Sequence, residues 1–117
     1  MNYFNISEFD CKCGCGTNNM DPTALDRLNV ARFHAGIPFV ITSGCRCGQH
    51  NAAVSTVGDT SPHLGGWAVD ISATSSAARW AIVDGLKKAG FTRIGIGSNF
   101  VHADIDPAKT YRLIWTY

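Results

Sequence analysis

Apolar residues recur along this chain with two different periods. Between Asp21 and Gly36, Leu25, Leu28, Ala31 and Ala35 fall at helical spacing. Asp21-Pro22 opens that stretch as a cap followed by a first-turn proline, and Gly36 and Pro38 close it. A second helical stripe, Ala78, Ile82, Leu86 and Ala89, begins after a Thr74 or Ser75 cap and ends at Gly90. Elsewhere the period is two. Phe39–Ser43 reads as a strand, and in Trp67–Ser72 the residues Trp67, Val69 and Ile71 alternate with Ala68 and Asp70. Two further strands are expected near Thr92–Ile96 and Phe100–Ile105, and a last one near Tyr111–Trp115. Residues 1–20 read as an irregular arm, and Gly44–Gly66 as a long loop of the kind that usually carries function. Two helices with about five strands joined by short connections predict an α+β fold with a mostly antiparallel sheet.

Composition narrows the classes. The 117 residues suit a single domain, and 45% apolar with 16% charged residues describes a packed globule. A formal charge of +1 is too balanced to predict nucleic acid or an anionic membrane as the main partner. No apolar run approaches the roughly 20 residues that span a bilayer, so membrane insertion is not expected. The opening Met1–Asn5 lacks the basic and apolar sequence of a signal peptide. Synthesis in the cytoplasm is therefore expected, with a separate route to any target outside it.

Chemistry concentrates in two strings. In Ser61-Pro62-His63-Leu64-Gly65-Gly66-Trp67-Ala68-Val69-Asp70, His63 lies in a glycine-rich loop and Asp70 on the polar face of a strand. In Phe100-Val101-His102-Ala103-Asp104-Ile105, alternation puts His102 and Asp104 together, opposite Val101, Ala103 and Ile105. Two imidazoles and a carboxylate, with water in a fourth position, form the donor set of catalytic zinc, which acidifies water to a pKa of ~7 and polarises a carbonyl. His63, Asp70 and His102 are the expected ligands. Asp104 is the expected proton shuttle, with Asp106 as its substitute. Arg46, just after a strand in Thr42-Ser43-Gly44-Cys45-Arg46-Cys47, is placed to hold a substrate carboxylate.

The remaining candidates read as structural. His34 suits the carboxyl end of the first helix, and His50 suits loop hydrogen bonding. Trp67, Trp80 and Trp115 are expected in core or edge packing, Trp67 also beside the cleft. The five cysteines form two groups, Cys11, Cys13 and Cys15, then Cys45 and Cys47. Reduced thiols, one bridge between groups, or a structural zinc all fit, with core thiols or a local bridge preferred over a second metal site.

Ser61-x-His63-x-x-Gly66-x-Ala68-x-Asp70 followed by a later strand histidine resembles the zinc D-Ala-D-Ala carboxypeptidase family. That family includes VanY- and VanX-type enzymes and phage endolysins, and shares its fold with Hedgehog signalling domains. Ser7-Glu8-Phe9-x-Cys11-x-Cys13-x-Cys15, Ser43-Gly44-Cys45-Arg46 with His50-Asn51, and the ending Trp115-Thr116-Tyr117 are similar to its small phage and prophage branch. The resemblance implies Zn2+ on His63, Asp70 and His102, Arg46 as substrate anchor, and a sheet with the site on one face and helices on the other. It implies a monomer acting on peptidoglycan stem or cross-bridge peptides, after release through a separate pore or carriage in a virion. Many relatives place an acidic catalytic base three residues before the last histidine; here that residue is Asn99. A non-catalytic, metal-containing wall-binding or virion module is therefore the alternative, and a purely structural zinc a third reading.

Overall fold

A computed structural model describes residues 2–48, 51–52, 61–109 and 111–117. After a short 3-10 turn at Ile6–Phe9, helix α1 runs Pro22–Ala35 and strand β1 Ile41–Ser43. Strand β2 (Ala68–Ser72), helix α2 (Ser76–Lys88), and strands β3 (Arg93–Ile96), β4 (Phe100–Asp104) and β5 (Leu113–Thr116) follow. Local chemistry explains the helix ends. The Asp21 carboxylate accepts the amides of Thr23 and Ala24 ahead of Pro22, and Gly36 closes α1 in the left-handed conformation at φ 71°. Ser75 caps α2 by accepting the Ala78 amide.

The five strands form one sheet in the order β1-β2-β4-β3-β5. Every pairing is antiparallel except β3 with β5. The sheet is therefore mixed, within the α+β class expected. The parallel pair follows from a skipped strand. β4 returns antiparallel to β3, and the chain then turns back again at the far side of β3. The turn is held by the Arg112 amide on the Thr92 carbonyl at 2.6 Å.

The apolar faces of both helices and of the sheet meet in one core. Leu28, Ile71, Ile82, Leu86 and Val101 are buried to within 1% of completely, each contributing about 1.5–3 kcal/mol of transfer free energy. The two helices touch closely at Gly85, where a Cβ would lie 2.4 Å from the Ala31 carbonyl oxygen. Trp80, expected in packing, is instead 71% exposed, on the rim of a shallow groove that it shares with Ile96 and Ile114 of the sheet. Trp67 is half-buried beside Gly65, and Trp115 is half-buried on the sheet. Among the described residues, no helix is long and apolar enough to cross a membrane.

The cysteines depart from the preferred expectation. None of the five is disulfide-bonded. Cys11 and Cys45 are buried thiols, and Cys45 accepts the Asn19 amide and donates to Asn18 Oδ1. Cys13 and Cys15 are exposed and Cys47 half-buried, yet their sulfurs gather with that of Cys11.

Candidate metal centre

The register of β2 against β4 sets Asp70 directly opposite His102, so their side chains leave the same face of adjacent strands. His63 reaches the same point from the loop before β2. That loop turns at Gly66, whose φ is 75° and whose α-carbon sits so close to the Asn19 carbonyl that a Cβ would clash at 2.0 Å. The three donors lie within 4.8 Å of one another, with His63 2% and His102 5% exposed.

Each imidazole divides its two nitrogens between a fixed protein partner and the central point. His63 Nδ1–H donates to the Gly44 carbonyl at 2.7 Å, which turns Nε2 towards Asp70 Oδ1 at 3.4 Å. His102 Nε2–H donates to Asp104 Oδ2 at 2.6 Å, which turns Nδ1 towards the same Asp70 Oδ1 at 2.9 Å. A neutral His63 presents a lone pair at Nε2, and two lone-pair atoms at 3.4 Å need a proton or a cation between them. This is how histidine zinc ligands are arranged: one nitrogen on the metal, the other held by a carbonyl or carboxylate. The residues fit zinc, and His63 Nε2, Asp70 and His102 Nδ1 would hold it.

The electrostatics agree. Burial alone would raise the Asp70 pKa, but hydrogen bonds from His102 and His63 outweigh it and hold the carboxyl well below the usual carboxylate range. Burial alone would lower the His102 pKa, but its bonds to Asp104 and Asp70 raise it above the usual 6.5. Without metal, the carboxylates on either side favour a second proton on His102.

Asp104, the expected proton shuttle, lies beneath the cleft and not in its lining. It is 0% exposed. Oδ2 accepts from His102, while Oδ1 faces Arg93 Nε at 3.0 Å and accepts the Asp106 amide. Both oxygens are engaged away from the cleft. Asp106, the substitute, is buried and accepts the Ala108 amide within its own turn. Arg46 does stand at the cleft: Nη2 pairs with Asp70 Oδ2 at 3.3 Å, Nε donates to Ser43 Oγ, and Nη1 to Asn51 Oδ1. An open cleft of about 520 Å³ lies beside it, lined among others by Lys12, Ser43, Asp70, Asn99 and Phe100. His50 lies outside the described residues.

Two contributors were not anticipated. Arg93 pairs with Asp104 and lies 5.0 Å over the Trp115 ring, and Trp115 in turn packs 5.6 Å from His102. The available signal was the alternation of Arg93 and Gly95 with Ile94 and Ile96, which puts Arg93 on the polar face. Gly95 lies opposite His102, and a Cβ there would meet Trp115 at 2.7 Å, so glycine leaves the indole its place.

No curated protein matches the sequence closely. Residues 2–104, which contain every donor of this centre, match the pattern of the Peptidase M15 family. With its two histidines and aspartate converging on one point at the head of a cleft, the chain belongs to that family of zinc peptidases.

Proposed function

We propose that this protein is a zinc-dependent peptidase of peptidoglycan peptides, acting as a D,D-carboxypeptidase or an L-Ala-D-Glu endopeptidase. The observation that carries the reading is the placement of the three donors at the head of an open cleft whose wall holds a guanidinium. Zinc held there supplies a polarised carbonyl and an acidified water. Arg46, in the wall of the cleft, pairs with a carboxylate of the substrate, the free carboxy terminus or the D-glutamyl side group. Gly44 and Asp104 fix the two imidazole orientations, and Asp104 is thus a positioning residue acting through His102. Cytoplasmic synthesis and delivery through a separate pore, as a phage or prophage lysin, belong to this reading and rest on the family resemblance.

A specific observation supports the second reading, a metal-containing wall-binding module. Among the described residues lining the cleft, Asp70 is the sole carboxylate, and it is a ligand. Asn99 lines the cleft where relatives carry the base. Incubating zinc-loaded protein with purified peptidoglycan and assaying new amino groups separates the two. Release that is abolished in His63→Ala supports the peptidase. Sedimentation with the wall, without release, sinks it in favour of the module.

A further inference from the structure

We propose that Cys11, Cys13, Cys15 and Cys47 form a second metal site, a tetrathiolate zinc that fastens the amino-terminal arm to the loop carrying Arg46. The four sulfurs lie within 4.8 Å of one another. Cys11 and Cys13 are 3.4 Å apart, Cys13 and Cys47 3.5 Å, and Cys11 and Cys47 3.7 Å. Tetrahedral zinc with bonds of about 2.3 Å requires sulfur–sulfur edges of about 3.8 Å. The three separations are already within a few tenths of an ångström of that edge. They are far too long for a disulfide, whose bond is about 2.05 Å.

Apolar burial does not explain the gathering, because Cys13 and Cys15 face solvent. The backbone does. An extended Cys-x-Cys-x-Cys segment would string its three sulfurs in a row about 7 Å apart. Here Gly14 and Gly16 adopt φ of 83° and 82°, and the segment curls, with the Gly14 amide on the Cys11 carbonyl and the Cys11 amide on Thr17. A Cβ at either glycine would meet nothing within 4 Å. These positions therefore need glycine for the sign of φ and not for space, and the curl turns alternate cysteines to one point. The Cys47 amide points at Cys11 Sγ at 3.3 Å, a donor that stabilises a thiolate. Cys15, whose Sγ also lies 3.0 Å from Thr17 Oγ1, completes a set of four soft sulfur donors of which three are at tetrahedral spacing; such a set selects zinc or iron, and zinc is the redox-inert choice for a structural clamp.

The clamp would join segments 36 residues apart. It sits beside the catalytic machinery without entering it. Cys47 follows Arg46 directly, the Arg46 amide donates to the His63 carbonyl, and Gly44 carries the carbonyl that orients His63. Next to it, the Cys45 amide donates to the Phe9 carbonyl at 2.9 Å, and a Cβ on Gly44 would lie 2.8 Å from Phe9 Cα.

Metal counting on protein purified under reductant tests the site independently of turnover. Native mass spectrometry should find two zinc ions per wild-type chain, one in His63→Ala and one in Cys13→Ser/Cys15→Ser. Cobalt-loaded wild type and His63→Ala should both show the intense near-ultraviolet charge transfer of thiolate-bound cobalt, absent from the cysteine variant. If that variant does not fold, His63→Ala decides alone, by keeping one metal with the thiolate spectrum. One zinc in wild type and none in His63→Ala overturns the proposal. So does a mass two daltons low that marks a disulfide, or iron in place of zinc.

Discussion

The two imidazoles at the centre are held by partners of different chemistry, and the difference decides what neighbouring residues do. His63 leans on a neutral backbone carbonyl, His102 on the carboxylate of Asp104. A carboxylate behind a ligating histidine raises its basicity and fixes its tautomer. Asp104→Asn should therefore weaken zinc binding about 10- to 100-fold, measured by competition with a chromophoric chelator. A proton shuttle would behave otherwise: the variant would keep its zinc affinity and lose turnover alone, and that result would return Asp104 to the catalytic role. The base position itself is tested at Asn99, which is exposed at the cleft and holds the chain through its backbone carbonyl on the Ala73 amide. Its side chain is thus replaceable without loss of that bond. Asn99→Glu should raise the rate of amino-group release by roughly 10²-fold, the low end of the 10²–10⁴ that a positioned general base contributes. An unchanged rate would show that the proton is taken elsewhere. The residue types of the centre were legible because histidine and aspartate sat on the polar face of strands otherwise apolar. Arg93 was missed because its partner is set by register, Arg93 against Asp104, and register is not written in either strand alone.

Periodicity located α1, α2 and strands β1 to β5, because each carries its own repeat and its own stop. Strand ends were less legible. Phe39 and Val40 continue the apolar run, yet β1 begins at Ile41, Val40 giving β2 only its carbonyl on the Ser72 amide, and the register shifts between Ile41 and Ser43. The parallel direction of β5 was not legible for a different reason. Short connections imply antiparallel neighbours only when consecutive strands pair, and β4 and β5 do not. The helix pair offers a sharper lesson. Gly85 falls between Ile82 and Leu86 on the buried face of α2, where propensity alone would favour alanine by about 1 kcal/mol. Contact with α1 reverses the preference, since the added methyl would meet the Ala31 carbonyl at 2.4 Å and Ala35 Cβ at 3.0 Å. Backbone cannot yield as a flexible side-chain end can. Gly85→Ala should destabilise the protein by about 1–3 kcal/mol, the usual penalty of overpacking, read as a lower urea midpoint at unchanged slope. A midpoint that rises would mean that α1 and α2 separate freely.

Across the whole molecule the sheet divides two kinds of chemistry. One face, with both helices, is a continuous apolar core from Phe4 to Ala103. The other carries Asp70, His102, Asp104 and Arg93 in one charged network. The first layer was readable from patterning, whereas the second depends on pairing Asp70 with His102 across strands 32 residues apart. Because the layers are separate, removing metal from the centre should spare the fold and leave a network whose own titration sets the pH response. His102 has its pKa raised above 6.5 in the folded, metal-free chain. Its contribution is fully present below the unfolded value and is lost as pH rises through the folded one. Asp70 has its pKa depressed, so its contribution holds above the ordinary carboxylate range and fades only in stronger acid. In excess chelator, the stability of wild type should therefore fall as pH rises above the ordinary histidine value of 6.5, while Asp70 stays ionised throughout. Urea unfolding of wild type and His102→Gln over that range isolates the effect, because the thiols are the same in both. The variant should be less stable at pH 6 and show the shallower pH dependence. Parallel curves would mean that His102 is already neutral at pH 6, and that the carboxylates on either side of it do not hold its proton.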